Sequence, residues 1–372
     1  MGDTTFEYPY HPGLIPAAGG PLSMWRYQTL LPRPEVPVRY PLAVGGTPLR
    51  VAPARLRVAS APLWLKDETV GPSASNKDRA TALVIDAALA AGADTVTTSS
   101  TGNAAISTAV GAAAAGLRAV IFVPATCHPG KVEAMCRAGA LVFKVVEGYR
   151  AAFDLSRAAA ARFGWADRNT GVNPVTIEAK KTVAFEIWEQ LDRRAPDVVV
   201  VPVGDGATLV GMAKGFRELR TCGVIDGLPR LIGVQSDRCA PLAAAWRGEA
   251  SAPARPEETV ADGIAVAEPS VGDWALEEVH TANGSFVTVS DEHMLEAVDL
   301  LDSAGVAAEP AGAAALAGYR RAATTGLVTA NERVVALVTG AGLSLEAGPG
   351  SPAGRQWTIS ADLDTVRHVM AT

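Results

Sequence analysis

The sequence has few of the residues on which metal sites, disulfides and nucleic-acid surfaces depend. It contains four cysteines and five histidines in 372 residues, and neither set has the spacing of metal ligands. The cysteines therefore indicate reduced thiols. Acidic residues outnumber basic ones by 39 to 33, giving a net charge of −6. That balance argues against binding to nucleic acid or to an anionic membrane.

The chain also lacks the segments that direct a protein to or through a membrane. Its N-terminus has no basic-then-apolar layout of a signal peptide, and no run is apolar enough to span a bilayer. We therefore expect a cytoplasmic protein. Its composition, 48% hydrophobic and 19% charged, is typical of globular proteins. Its 372 residues are more than one hydrophobic core usually organises, which predicts two lobes.

What the sequence does contain is an alternation of short apolar runs with helical patterns. Residues 1–60 are rich in proline and aromatic residues and predict an extended arm, laid over the body or across a partner subunit. The alternation fills 61–172 and again 173–345, and 346–372 is a tail, first a glycine–proline linker and then a short element around Trp357. This pattern predicts an α/β fold of two lobes, each a mainly parallel twisted sheet covered by helices.

Lys77 ends a turn-rich loop and precedes a helix predicted over 78–91. The positive end of that helix and the neighbouring Arg79 both disfavour the ammonium form, whereas Asp78 favours it. The position suits a nucleophilic amine. On this loop alone, the alternative is a solvated lysine at a helix start. A second pair, Lys180 and Lys181, lies in a helix predicted over 177–191 and is expected to begin a solvated helix face.

Two turns lie between a predicted strand and a predicted helix. The first offers hydroxyls, backbone N–H groups and an amide to a carboxylate, or is merely a capping turn; it consists of Ser99, Ser100, Thr101, Gly102 and Asn103. The second lets the backbone approach a phosphate, or is a tight helix start, or belongs to a nucleotide-binding protein. It consists of Gly204, Asp205, Gly206, Ala207 and Thr208. The Asp205 carboxylate would repel a phosphate unless it points away.

Thr339 follows a strand predicted over 334–338 and precedes Gly340. Its hydroxyl is expected at the carboxyl edge of the sheet, where α/β proteins bind ligands. A strand-end threonine in a glycine turn is the alternative interpretation. Glu309 precedes a helix predicted over 310–323, a position that the helix dipole alone explains.

These motifs occur in the order seen in fold-type II pyridoxal-phosphate enzymes, and from about 25 to 342 the chain resembles the threonine synthase family. The family's lysine loop, Pro-Thr-Gly-Ser-Phe-Lys-Asp-Arg, corresponds to residues 72–79, Pro-Ser-Ala-Ser-Asn-Lys-Asp-Arg. The resemblance implies pyridoxal 5'-phosphate on Lys77 as a Schiff base, with its phosphate at 204–208, its phenolic oxygen at Asn103 and its ring nitrogen at Thr339. It places the substrate carboxylate at 99–103, and we expect a homodimer.

The implied activity is that of a lyase, with elimination or replacement of a β or γ group on an amino acid. A neutral Thr339 at the ring nitrogen suits this chemistry better than transamination. One position departs from the family, because Thr176 replaces an arginine expected to bind the substrate phosphate. We therefore expect a substrate other than O-phosphohomoserine. The alternatives are a serine/threonine dehydratase-like deaminase, a β-replacement enzyme of the cysteate synthase type and a catalytically silent small-molecule sensor.

Overall fold

The computed structural model describes residues 6–33, 36–58, 62–249, 255, 258–342 and 354–371. Most of the predicted linker before Trp357 lies outside the described residues. The strands, in chain order, are β1 (Leu49–Val51), β2 (Leu63–Asp67), β3 (Thr95–Ser99), β4 (Arg118–Pro124), β5 (Leu141–Val145), β6 (Ala166–Asp167), β7 (Val198–Pro202), β8 (Arg230–Ser236), β9 (Ser285–Val289), β10 (Val334–Val338) and β11 (Arg355–Ile359).

Helices fill most of the sequence between the strands. In chain order they are α1 (Lys77–Ala90), α2 (Asn103–Ala115), α3 (Pro129–Arg137), α4 (Tyr149–Phe163), α5 (Val175–Lys180), α6 (Thr182–Gln190), α7 (Ala207–Thr221), α8 (Pro241–Trp246), α9 (Gly272–Thr281), α10 (Asp291–Ser303), α11 (Pro310–Thr324) and α12 (Leu363–Ala371). The N-terminal arm contains short 3-10 helices at Pro12–Leu14 and Met24–Leu30, as its proline content leads one to expect.

The chain forms two compact units, each assembled from separate stretches. The first unit gathers Met1–Pro32, Gly45–Asn76 and Ile177–Gly342. The second gathers Arg33–Val44, Lys77–Thr176 and Leu343–Thr372. The sequence predicted domains that are each one continuous stretch, beginning at 61, 173 and 346, and this division stays a prediction.

The first unit is built on a six-stranded sheet with the order β1-β2-β10-β7-β8-β9. β1 runs antiparallel to β2, and every other neighbouring pair is parallel. β7 is buried along its whole length, and its alternate residues enter two different cores: Val199 and Val201 pack with α6, α7 and α9, while Val198 and Val200 pack with α10 and α11. Helices therefore cover both faces of this sheet, which explains its unbroken valine run.

The second unit contains a five-stranded sheet with the order β11-β5-β4-β3-β6, parallel throughout. Its edge strand β11 comes from the C-terminal tail. Trp357 of that strand stacks on Phe143 with a centroid distance of 5.3 Å, and Phe143 stacks in turn on Phe122. The short element predicted around Trp357 is thus a strand of this sheet. The predicted α/β class with mainly parallel sheets is confirmed.

The helix predicted over 177–191 was placed correctly in the chain but wrongly described. It is two helices, α5 and α6, and the expected solvated face is wrong because Lys180 and Lys181 are 2% and 0% exposed. Lys181 Nζ lies 2.5 Å from Glu178 Oε2 and 2.9 Å from Glu218 Oε1. Two consecutive lysines are typical of a solvent-exposed helix face, but α7 packs against this face, brings Glu218 to it and buries the lysines.

The N-terminal arm closes over the same buried charges. Tyr8 donates from its hydroxyl to Glu178 Oε2 at 2.9 Å, and Tyr10 donates to Glu218 Oε1 at 3.2 Å. The Lys181 ammonium lies 4.2 Å from the centroid of the Tyr8 ring, a cation–π contact. Burial and the Glu178 carboxylate raise the pKa of Tyr8 well above its usual value, so the hydroxyl stays a donor. These contacts lay the part of the arm around Tyr8 and Tyr10 over the first unit of its own chain.

Replacing Lys181 by methionine is expected to destabilise the protein by about 3–5 kcal/mol, because two buried carboxylates lose one of their two shared cations and keep only Lys214. Urea unfolding followed by circular dichroism measures the change. Lys144→Met is the matched control, since Lys144 makes no ion pair within the described ranges and its loss should cost about 0.5 kcal/mol. Equal unfolding midpoints for the two variants would show that the ion pairs of Lys181 contribute nothing to stability.

Candidate functional site

The loop before Lys77 is joined to the turn after β10 by backbone hydrogen bonds. The Asn76 N–H donates to the Thr339 carbonyl at 2.8 Å, and Ser75 forms an antiparallel bridge with Gly340. Ser75 and Asn76 are both buried, at 2% exposure each. Two motifs that are 263 positions apart in the sequence, at Asn76 and Thr339, are therefore neighbours in the first unit.

The glycine turn after β7 lies against the same loop. The Asn76 side-chain amide donates to Thr208 Oγ1 at 3.2 Å. Gly206 caps α7 with a φ of 95°, a left-handed conformation that favours glycine, and a Cβ added at Gly204 would lie 3.0 Å from the Ile264 Cα. The turn thus lies at the positive end of a helix of fifteen residues, with neighbouring segments packed where its glycines lack side chains.

The Asp205 carboxylate within this turn is anchored by the segment before α9. Its Oδ1 accepts from both the N–H and the hydroxyl of Ser270, each at 2.7 Å. Its Oδ2 is buried and has no hydrogen-bond partner among the residues that the structure describes. Ser270 therefore fixes the side chain whose charge was expected to conflict with a phosphate, and one of its two oxygens is satisfied by this contact.

The turn after β10 is closely approached by α11. A Cβ added at Gly312 would lie 2.3 Å from the Gly340 carbonyl oxygen, and the Glu309 N–H donates to that same oxygen at 3.0 Å. The Glu309 side chain is near as well, because a Cβ at Gly342 would lie 3.1 Å from its Oε2. Only a residue without a side chain fits at 312 while Thr339 keeps its place.

Gly312→Ala is expected to cost about 1–3 kcal/mol, because the added methyl group forces α11 away from the Gly340 turn. The loss is measured as the shift in the urea unfolding midpoint. Gly227→Ala is the control, since a Cβ there meets nothing within 4 Å and the change should stay within about 0.5 kcal/mol. If Gly312→Ala proved as stable as this control, the close approach of α11 to the Gly340 turn would not require a glycine at position 312.

Lys77 is the first residue of α1 and is half-buried, whereas the next two residues, Asp78 and Arg79, are 3% and 1% exposed. Ser107 from α2 donates to Asp78 Oδ1 at 2.8 Å and lies 2.8 Å from Thr81 Oγ1. The start of α1 is therefore held from α2 by hydroxyl groups. The predicted helix began one residue later than the helix in the structure, which includes Lys77 in its first turn.

The turn from Ser99 to Asn103 connects β3 to α2 as predicted. The Ser99 N–H donates to Asn169 Oδ1 at 2.7 Å, and the Gly102 N–H donates to Ser100 Oγ at 3.2 Å. The Ser99 hydroxyl is buried without a hydrogen-bond partner in the part of the chain that is described. A polar oxygen in this state is consistent with a turn that takes a polar ligand.

Thr176, the residue that stands in place of the family's arginine, is fully buried at the start of α5. Its hydroxyl donates to the Asn173 carbonyl at 2.7 Å. The hydroxyl proton is therefore used within the local turn. Contact between Thr176 and a substrate stays a prediction.

Arg168, which the sequence did not single out, and its neighbour Asn169 hold this region of the second unit together. Arg168 is fully buried and contacts Thr81, Thr170 and the Lys77 carbonyl, and Asn169 binds the backbone at Ser99. Both follow directly on β6, so they lie at the carboxyl end of a strand in a parallel sheet. Ligand sites concentrate at such strand ends, but a strand of two residues leaves no recognisable pattern in the sequence.

Together, the parallel α/β sheets, the glycine turn at a helix start and the lysine at another helix start define an enzyme scaffold suited to an anionic cofactor that reacts with an amine. The model of the family described as pyridoxal-phosphate dependent enzyme matches residues 40–340. The chain belongs to this family, as the resemblance predicted.

Relatives with known names support the same placement. The chain is 35% identical over 326 residues to the threonine synthase of Methanosarcina acetivorans, which covers 86% of this chain and 79% of that one. It is 36% identical over 304 residues to the threonine synthase of Mycobacterium tuberculosis H37Rv, covering 81% and 82%. Among solved structures, a threonine deaminase from T.th. matches with a TM-score of 0.65 and 25% identity, covering 81% of this chain and 94% of that one.

The residues present fit pyridoxal 5'-phosphate, the cofactor that the family implies. A phosphate binds well to N–H groups at a helix start, which the turn before α7 offers, and an aldehyde needs an amine, for which the half-buried Lys77 is a candidate. Metal-binding groups of His, Cys, Asp and Glu do not occur within the described residues. No helix there is long and apolar enough to cross a membrane.

Proposed function

We propose that this chain catalyses elimination or replacement of a β or γ group on an amino acid, with pyridoxal phosphate held covalently by the Lys77 Nζ. In this proposal the turn 204–208 holds the cofactor phosphate, Asn103 donates to its phenolic oxygen and Thr339 faces its ring nitrogen. The turn 99–103 binds the substrate carboxylate.

One observation carries the proposal. Asn76, the residue directly before Lys77, donates from its backbone to Thr339 and from its side chain to Thr208. The chain thereby anchors the residue next to the proposed attachment lysine to the phosphate turn and to the ring-nitrogen turn at once. A solvated lysine at a helix start would need neither contact.

Bound pyridoxal phosphate supplies an aldehyde for covalent attachment of amines and a ring that withdraws electrons from the substrate Cα. The chain's own residues supply binding and proton transfer. The Lys77 amine removes the α-proton as general base, and the buried Ser99 hydroxyl orients the carboxylate. A neutral Thr339 hydroxyl beside the ring nitrogen would leave that nitrogen largely unprotonated, which would favour elimination and replacement.

The named relatives support this reaction class, since threonine synthases are the sequence relatives and threonine deaminase is a structural one. We expect this chain to differ from the threonine synthases in its preferred substrate. Thr176 replaces the arginine of the family, and Lys181 does not compensate because Glu178 and Glu218 hold it in a buried cluster. We propose that serine, threonine or an O-activated serine is turned over faster than O-phosphohomoserine.

Steady-state assays on the purified protein test the substrate. Keto-acid formation or nucleophile exchange from the β-substituted amino acids is compared with phosphate release from O-phosphohomoserine. The first should be faster, and keto-acid release without an added nucleophile would favour the dehydratase-like alternative over cysteate synthase-type replacement. Efficient threonine formation from O-phosphohomoserine, with the β-substituted set inert, would restore the plain threonine synthase assignment.

Borohydride reduction followed by peptide mapping tests the attachment residue. We expect the cofactor on the peptide that contains Lys77. A label on Lys66, Lys180 or another of the seven lysines would contradict the assignment. Binding of the cofactor with no spectral response to any candidate amino acid would favour the catalytically silent alternative.

The proposal extends to a cytoplasmic homodimer, which the family resemblance supports. Light scattering during size-exclusion chromatography measures the mass directly. A mass equal to that of one chain at micromolar concentration would contradict the dimer without affecting the proposed chemistry.

A further inference from the structure

Arg168 carries a charge that the proposed chemistry does not yet use. Its side chain is fully buried directly after β6. The Nε donates to Thr81 Oγ1 at 3.2 Å, Nη1 donates to Thr170 Oγ1 at 2.9 Å, and Nη2 lies 3.4 Å from the Lys77 carbonyl oxygen. All three acceptors are neutral. A buried cation with neutral direct partners is costly unless negative charge lies nearby.

That negative charge comes from Asp78 and Asp167. Burial lowers the pKa of Arg168 to about 10, and attraction to these two carboxylates works against that effect. Asp167 lies on β6 and also interacts with Arg157, whereas Asp78 lies on α1 next to Lys77. Arg168 is therefore one of the cations that balance the carboxylate beside the attachment lysine.

Asp78 matters because it is the group that opposes a neutral Lys77. A carboxylate next to an amine favours its ammonium form, and the ammonium form is no nucleophile. A cation that offsets the carboxylate removes part of this handicap. The fixed carbonyl matters too, because Nη2 of Arg168 holds the backbone of Lys77 where α1 begins.

We propose that Arg168 is a positioning residue for Lys77: it holds the Lys77 carbonyl at the start of α1 and offsets the charge of Asp78, so that the amine is available in its neutral form. This inference rests on the proposed function, in which Lys77 is the nucleophile. The charged and titratable groups of the surrounding elements that enter the balance are Asp78 and Arg79 of α1, Asp167 next to Arg168, Arg157 of α4 and Tyr40 of the segment 33–44.

The test measures the Lys77 amine itself and needs no turnover. The full-length chain, freed of cofactor with hydroxylamine and checked by circular dichroism, is acetylated at a series of pH values. Mass spectrometry of the peptides gives the rate at Lys77, with Lys144 as reference in the same digest. In Arg168→Gln we expect the apparent pKa of Lys77 to rise by about one unit, as the loss of a nearby charge does.

Two further variants separate charge from shape. Arg168→Lys keeps the charge and should leave the Lys77 profile within about 0.3 units of the parent, while Asp78→Asn combined with Arg168→Gln should bring it back to or below the parent value. An unchanged profile in folded Arg168→Gln, or an equal shift in Arg168→Lys, would overturn the proposal. If Arg168→Gln does not fold, the double variant Asp78→Asn/Arg168→Gln is compared with Asp78→Asn alone: the pKa of Lys77 should be higher in the double variant by about one unit, and equal values would overturn the proposal.

Failure of this inference and failure of the proposed function give different results. If borohydride reduction labels another lysine, the assignment of Lys77 fails while its acetylation profile still reports the influence of Arg168. If Lys77 is labelled but its acetylation profile is the same with and without Arg168, the cofactor assignment stands and the proposed role of Arg168 is wrong.

Discussion

Lys77→Met should bind pyridoxal phosphate without covalent attachment and should lose turnover by at least about 10³-fold, because the same amine is the attachment group and the general base. The loss is measured as kcat on the best substrate of the panel, together with the absence of a borohydride-stable label. Little else should change. Lys77 is half-buried at a helix start, and methionine is a comparably good helix former.

Lys144→Met provides the matched control, since it makes the same substitution elsewhere in the second unit and should retain full turnover. Circular dichroism shows whether both variants are folded. Turnover of Lys77→Met within about 10-fold of the parent would contradict its role as base, since general acid–base groups contribute more than that.

Gly206→Val is the second change with a large expected effect, a loss of cofactor affinity of about 100-fold. At a φ of 95° a valine is strained by about 1–3 kcal/mol. Its Cβ would also lie 3.1 Å from the Ala275 Cβ and 3.2 Å from the Val271 Cγ2. The turn relieves this strain by leaving the conformation that presents its N–H groups, and a phosphate then loses its binding site.

Cofactor titration followed by visible absorbance measures the affinity of Gly206→Val. The control is Gly227→Val, at an exposed position with open space around its Cβ and without a positive φ. A folded Gly206→Val protein with the cofactor content of the parent would contradict the proposal that this turn binds the phosphate.

The sequence was sufficient to predict the fold class and most of its elements, because the hydrophobic periodicity of a strand or a helix is a property of consecutive residues. The helices predicted over 78–91 and 310–323 lie at Lys77–Ala90 and Pro310–Thr324, and the strand predicted over 334–338 has those bounds in the structure. The elements that were not predicted are short or partly polar, as α9 and β9 are. Their existence depends on packing against α7 and β8 respectively.

The candidate site was recoverable in part, because its turns carry recognisable residues at strand ends. Lys77, the turn 99–103, the turn 204–208 and Thr339 were all located from the sequence, and their roles stay proposals. Arg168 was missed because nothing in its local pattern distinguishes a buried guanidinium from a solvated one. Lys181 was misassigned for the same reason, since the carboxylates that bury it come from α5 and from the distant α7.

The sequence by itself therefore determined the α/β class, the order of the elements and the motifs of the pyridoxal-phosphate family, since each is written in consecutive residues. Only the tertiary structure decided that the Asn76 amide meets Thr208, that Ser270 holds Asp205, and that Arg168 lies by the Lys77 carbonyl. Such contacts join residues far apart in the chain. The contacts of Asn76 and Arg168 form because burial leaves these side chains little water to bind, so each must find its partner wherever the fold brings one, whereas the Ser270 contact is exposed.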